Sequence, residues 1–474
     1  MVFSSITFIL YFLPAFLVLY YVTPSKYRNI TLLLGSIFFY AWGAPKFIFV
    51  IIGTTIIDYV VINIMHLEKR GNVQKGLLAL SVSINLALLF YFKYANFFVD
   101  NLNVFLGTFS ENQMRLGKVL LPIGISFYTF ESITYSVDIY RGIHKPLKRF
   151  TDYLLYILLF PKLIAGPIVR YQEIAGQIKD RVGKETIDTV LIGLYRFSIG
   201  LGKKALIANE LGLRADRLMG ADALNLSSPD AWVGALAYTF QIYFDFSGYS
   251  DMAIGICKMV GFNIPENFES PYTSKSITEF WRRWHISLGA WMKNYLYIPL
   301  GGNKNSNKWL NYRNLWVVFF ISGLWHGASW TFVIWGLYHG FFIVLELSLK
   351  SSFFIKIPSI IKLLYTFFIV TLGWVFFRIE NIEKAKSYFS YMFDFSNLTL
   401  GDYDTSFWVC FGFAVVFSLM VNIPGGRLLK EYIYRSEHTL KSHLVMTMLC
   451  GILLVLSVLS ISANGFNPFI YFRF

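Results

Sequence analysis

The stretch "FFISGLWHGASW" at residues 319–330 places a histidine, His326, inside an apolar run. From Asn314 to Leu345 there is no Asp, Glu, Lys or Arg. A charge-free run of that length reads as a membrane span, since about 20 mostly apolar residues cross a bilayer. The rest of the chain carries the same signature. Its 474 residues are 55% hydrophobic and 19% aromatic, and 15% are charged, against roughly 25% in soluble domains. Residues 1–25, 29–45, 76–92, 405–426 and 444–472 carry no charge at all. The reading is an all-α integral membrane protein with roughly 10 to 12 segments and no sizeable soluble domain.

The first segment, "MVFSSITFILYFLPAFLVLYY", lacks a basic leader and a small-residue cleavage site, so it reads as a retained helix. The net charge of +14 fits the enrichment of Lys and Arg in cytoplasmic loops. No basic domain stands outside the membrane, so no nucleic-acid partner is expected. Cys257, Cys410 and Cys450 have no metal-ligand spacing, and their odd number gives no disulfide framework. No metal is expected.

The two halves of the chain do not mirror each other, which disfavours inverted-repeat transporters. The outer stretches are ordinary apolar spans. The middle, about 120–345, is interrupted by Pro and Gly in "LPIGISFYTF" (121–130), "FPKLIAGPIVRY" (160–171), "YFDFSGYSDMAIG" (243–255) and "YIPLGG" (297–302). Irregular backbone at membrane depth is tolerated only where protein or a water-filled cavity covers it. This region is therefore expected to line a cavity. Glu131, Asp138, Asp245 and Asp251 belong to the same region, and carboxylates in membrane segments face the bundle interior and pair or mark a pathway. Asp138 and Arg141 have the spacing of a helical ion pair. For Asp245 and Asp251, scaffolding and function are both open.

Residues 275–313 carry seven basic side chains against one acid, Glu279, together with a dense series of Trp and Tyr. This is the pattern of a cytoplasmic interfacial segment that dips into the protein and returns. A cationic, aromatic surface suits an anionic donor with a large organic body, and coenzyme A fits. Arg282, Arg283 and Lys293 are the candidate donor-binding residues, with lipid-headgroup contact as the alternative. His285 sits inside this stretch. His326 follows Arg313 by 13 residues, which at 1.5 Å per residue sets it roughly 20 Å deeper if the segment is helical. Gly323, Gly327 and Ala328 read as leaving space beside the ring, with Trp325 and Trp330 as walls. Such a ring can serve as general base, satisfied core residue, proton relay or metal ligand. The last has little support, because His339 is the next histidine and no H-E-x-x-H motif is present.

Taken together, "MVFSSITF", "LPIGISFYTF", "FPKLIAGPIVRY", "YFDFSGYSDMAIG", "NFESPYTSKSITEFWRRWHISLGAWMKNYLYIPLGG", "GLWHGASWTFVIWGLYHG" and "NPFIYFRF" resemble the membrane-bound O-acyltransferase (MBOAT) family over nearly the full length. The likeness is to the bacterial branch that acetylates alginate or peptidoglycan. It implies one membrane domain over 1–474, with a catalytic core at about 120–345. It implies a ring of about 11 transmembrane helices plus re-entrant and interfacial helices around a central tunnel. The deep catalytic histidine corresponds to His326 and the second catalytic position to His285. Acetyl-CoA is then the donor substrate, with no resident cofactor, and the setting is a bacterial inner membrane.

The "GDY" at 401–403 lacks the serine of a G-D-S esterase motif. A separate extracytoplasmic acyltransferase is therefore the expected partner, and the resemblance implies one too. It also suggests that Tyr471, in the aromatic tail 466–474, carries the acyl group; an interfacial aromatic anchor is the alternative. D-alanyl transfer from a carrier protein, a proton-coupled transporter and an export scaffold are the competing functions.

Overall fold

The computed structural model describes residues 2–474 apart from 108–113, 115, 182, 221–224, 305–306, 350–356, 435–436, 465–468 and 471–474. The described residues are helical, and their β-type feature is one antiparallel bridge, Phe268 to Trp284. Among them, Ile48–Leu67, Gly71–Leu106, Trp330–Ser348, Ser359–Arg378 and Leu440–Ala463 are long and apolar enough to cross a membrane. Thr7–Val22 and Thr405–Ser418 are shorter apolar helices. The all-α membrane class read from composition therefore holds.

The chain packs as two compact units, Met1–Thr186 with Cys257–Pro265, and Ile187–Ile256 with Glu266–Phe474. In the first, the turn Pro122–Gly124 needs glycine. Gly124 has φ +80°, and a Cβ there would lie 2.4 Å from the Leu163 carbonyl oxygen. The following helix, Ile125–Tyr140, buries Glu131 against Lys162, and both side chains are fully enclosed. Burying either charge alone would be costly, so each requires the other.

The second unit holds both candidate catalytic histidines. Its elements include α1 (Ile187–Gly202), α2 (Ser228–Met259), α3 (Ile277–Arg283), α4 (Ile286–Met292), α5 (Lys308–His326), α6 (Trp330–Ser348), α7 (Ser359–Arg378), α8 (Gly426–Tyr434) and α9 (Leu440–Asn464). The chain is broken at 121–130, 160–171 and 297–302 as expected, but not at 243–255. There α2 continues without interruption through 32 residues. Its glycines pack helices instead: a Cβ on Gly248 would meet the Gly200 carbonyl at 2.6 Å, and one on Gly200 the Gly248 carbonyl at 2.5 Å. Small residues allow such backbone approach between membrane helices.

The same device joins α5 to α6. A Cβ on Gly336 would lie 2.3 Å from the Phe319 carbonyl, and one on Gly323 would lie 2.4 Å from the Phe332 carbonyl. The Gly336→Ala protein is expected to lose about 1–3 kcal/mol from overpacking and to melt at lower temperature. Gly340→Ala is the milder control, because its Cβ would meet the Phe319 side chain at 3.2 Å.

Candidate active site

His326 is the last residue of α5. The helix starts on Asn307, whose side chain accepts from the Trp309 N–H at 2.9 Å, a helix N-cap. It ends where Gly327 turns extended, at φ −169° and ψ 154°. The His326 side chain is 3% exposed. Its Nδ1 lies 2.6 Å from the Ser322 carbonyl oxygen. A carbonyl only accepts, so Nδ1 carries the hydrogen and the neutral ring has its lone pair on Nε2. Trp325, Trp335 and Phe377 surround the ring, at centroid separations of 4.9, 4.8 and 5.4 Å.

The packing corrects two details of the sequence reading. Gly323 and Gly327 leave no room beside the ring: the Phe332–Gly336 backbone fills one position, and the Phe332 ring stands 2.1 Å from a Cβ at the other. Nor is Trp330 a wall, since it is 50% exposed. A further wall of the ring is Trp335, which sequence reasoning did not single out.

His285 lies at the break between α3 and α4. α3 begins on Ser276, whose hydroxyl accepts from the Glu279 N–H at 3.0 Å. It stops at Trp284, which is extended and bridged to Phe268. The Glu269 N–H donates to the Arg283 carbonyl at 2.9 Å, and the Ile286 N–H donates to the Asn267 carbonyl at 3.0 Å. This short ladder holds the kink, and His285 occupies it at φ +47° and ψ 52°. A left-handed non-glycine residue costs about 1–3 kcal/mol and persists where its surroundings over-determine it, commonly at functional sites.

The His285 ring is 1% exposed. Its Nδ1 faces Asn267 Oδ1 at 3.1 Å, while its Nε2 is buried with no hydrogen-bond partner among the described residues. Phe246 packs edge-on to it at 4.7 Å. The Trp325 ring has His285 at 6.0 Å and His326 at 4.9 Å. The two imidazole centroids therefore lie within about 11 Å of each other. The basic, aromatic stretch around it had placed His285 near the cytoplasmic mouth, at a different depth from His326. The kink instead buries it and brings it against Trp325, which also packs on His326.

The three proposed donor-binding residues differ in exposure. Arg282 and Lys293 are exposed. Arg283 is half-buried, paired with Glu279 at 2.7 Å and donating to the Thr273 hydroxyl at 3.1 Å. One cation missed in the sequence is Lys430 on α8, which donates to the Ser270 hydroxyl at 3.2 Å. Burial pushes its ammonium below the usual lysine range, and Glu269, Lys203, Glu266 and Arg283 lie around it.

The two aspartates of α2 have separate partners. Asp251 binds Arg196 at 2.7 Å and Lys203 at 2.6 Å, and Arg196 also forks onto Glu266. Asp245 pairs with Lys204 at 2.8 Å and accepts the Ile470 N–H at 2.8 Å. Phe469, next to Ile470, lies 4.6 Å from Tyr249 and 5.9 Å from Phe246. The approach to the C-terminal tail is thereby packed against α2, one ring away from His285. Tyr471 itself lies outside the described residues.

The two buried histidines, in a membrane-spanning helical unit, share contact with Trp325. Residues 147–383 match the family described as MBOAT, membrane-bound O-acyltransferase family, and the chain belongs to that family. It is similar to the "Probable alginate O-acetylase AlgI" of Azotobacter vinelandii, at 40% identity with both chains wholly covered. It is 45% identical to the protein of that name from Pseudomonas aeruginosa, over 85% of this chain and 76% of the relative. It is 38% identical to the "Peptidoglycan O-acetyltransferase" of Helicobacter pylori, over 81% and 78%. The chain is a multi-pass membrane O-acyltransferase, which decides against the transporter and scaffold readings.

Proposed function

We propose that this protein passes an acetyl group from cytoplasmic acetyl-CoA, through the membrane, to an acceptor used for O-acetylation of a cell-envelope polysaccharide such as alginate or peptidoglycan. The bilayer is a bacterial inner membrane. The observation that carries the reading is the pair of buried histidines that share contact with Trp325, with Nδ1 of His326 against the Ser322 carbonyl. The names of the full-length relatives support the acetyl group and the polymer class.

In this reading His326 Nε2 takes the proton of an acceptor hydroxyl. The oxygen attacks the thioester carbonyl, a C–O bond forms, the C–S bond breaks, and the coenzyme A thiolate leaves and recovers a proton. A hydroxyl is a weak nucleophile at its own pKa, so the base is needed. Holding both reactants in register reaches effective molarities of ~10⁵ M or more. His285 is the second catalytic residue. The donor phosphates bind at the cationic surface of Arg282, Arg283 and Lys293, with Lys430 beside it.

The polymer itself is modified by a separate extracytoplasmic acyltransferase, and Tyr471 is the carrier between the two. The hydrogen bond from Ile470 to Asp245, and the contact of Phe469 with Phe246, which itself packs on His285, support this reading. Mass spectrometry of the terminal peptide after incubation with acetyl-CoA is expected to show one added acetyl group on Tyr471. Tyr471→Phe, which has no hydroxyl to carry the acyl group, is expected to remove most of the polymer acetylation in cells. Full output from Tyr471→Phe would remove the relay. Purified protein that takes D-alanine from a carrier protein, and no acetyl from acetyl-CoA, would replace the donor.

A further inference from the structure

The buried residue with the most demanding hydrogen-bond environment near the histidines is Asn267. Its Oδ1 lies 3.3 Å from the Ser287 backbone nitrogen and 2.9 Å from the Ser287 hydroxyl. Its Nδ2 lies 3.2 Å from the Ser250 hydroxyl. Oxygen and nitrogen of an amide are assigned from such neighbours. Here the backbone settles it: the Ser287 N–H can only donate, so the atom facing it is the acceptor, Oδ1. The same oxygen is 3.1 Å from His285 Nδ1. An amide oxygen has no hydrogen to give, so the hydrogen on that contact belongs to Nδ1. The neutral His285 ring then has its lone pair on Nε2, the buried atom with no partner among the described residues.

The backbone reinforces the arrangement. Left-handed dihedrals at His285, φ +47°, and the Ile286 N–H bond to the Asn267 carbonyl keep the ring turned toward the amide. Asn267 thus meets His285 and its neighbours through both its side chain and its main chain. A residue with so many contacts at one histidine does more than fill space: partners that orient a ring also set its tautomer.

We infer that Asn267 is a positioning residue that locks His285 as the Nδ1–H tautomer, so that Nε2 meets the substrate as a hydrogen-bond acceptor toward an O–H or N–H. This deepens the acetyl-transfer reading and rests on it for the identity of the substrate. It also sharpens the part His285 plays: a neutral ring of this tautomer cannot polarise the thioester carbonyl through Nε2, since it has no hydrogen there.

The test is nitrogen NMR of the full protein, labelled with ¹⁵N-histidine, in lipid discs. The His285 signals are assigned by their loss in His285→Gln. Wild-type protein at neutral pH is expected to show a pyridine-type Nε2 and a protonated Nδ1 at His285. A protonated Nε2 with a bare Nδ1 would overturn the inference, and this readout stands even if a variant at 267 does not fold. Asn267→Leu is expected to give mixed tautomers and acetyl transfer lowered about 10–100-fold, the usual cost of losing an orienting partner. Asn267→Asp, whose carboxylate offers only acceptors, is expected to keep the proton on Nδ1. An Asn267→Leu protein that retains both the wild-type tautomer and wild-type turnover would overturn the inference as well. If the tautomer is as expected but no variant, wild type included, takes acetyl from acetyl-CoA, the donor assignment fails while the role of Asn267 stands.

Discussion

Replacing His326 with Gln is expected to lower acetyl transfer by about 10²–10⁴-fold, the contribution of a positioned general base, with the protein still folded. Gln is close in size to the imidazole, so it limits the cavity that Ala would leave among Trp325, Trp335 and Phe377. It offers no basic nitrogen. The measurement is label transfer from radiolabelled acetyl-CoA in lipid discs, with thioester cleavage followed in parallel. Binding of coenzyme A is expected to be unchanged, because the cationic side chains lie on other elements. A His326→Gln protein that cleaves the thioester at the wild-type rate would return His326 to scaffolding.

The largest effect on stability is expected at Asp251. Its carboxylate stands between Arg196 and Lys203, and the Tyr434 hydroxyl reaches it at 3.4 Å. Removing one partner of a buried ion pair costs about 3–5 kcal/mol, because the other charge remains buried and uncompensated. Asp251→Leu leaves two cations facing each other, with Arg196 retaining Glu266 alone. The protein is expected to melt at markedly lower temperature in detergent and to express poorly. The double variant Arg196→Met/Asp251→Leu is expected to recover part of the loss, since an apolar replacement of a whole pair is often neutral. The shortfall from additivity measures the coupling. An Asp251→Leu melting point equal to that of wild type would show that the network contributes nothing. The partners of Asp251 tie α1 and α8 to α2.

The sequence alone carried the membrane class, because a charge-free run of 20 residues has few other uses. It also carried the two histidines, His285 and His326, as polar rings in apolar or aromatic surroundings. Several readings drawn from local pattern did not hold, each for the same reason. Glycine in "YFDFSGYSDMAIG" signals either a break or a close approach, and local sequence does not distinguish them. The Gly200–Gly248 contact decides for close approach. Gly323 and Gly327 suggested free volume, but whether a missing side chain leaves a space depends on what packs there, and Phe332 does. The placement of His285 near a cytoplasmic mouth came from the basic, aromatic stretch around it, which does not anticipate the left-handed turn that buries it.

Composition and periodicity determine which segments leave water, because that depends on side-chain transfer alone, summed along the chain. Which polar groups meet inside depends on contacts between residues far apart in sequence. Asn267 lies 18 positions from His285, and Ile470 lies 225 from Asp245. Neither partnership has a local signature. Only the tertiary structure supplies the acceptor that assigns the His285 proton and the carboxylate that anchors the approach to the tail, since both arise where helices distant in sequence must satisfy one another's buried hydrogen bonds.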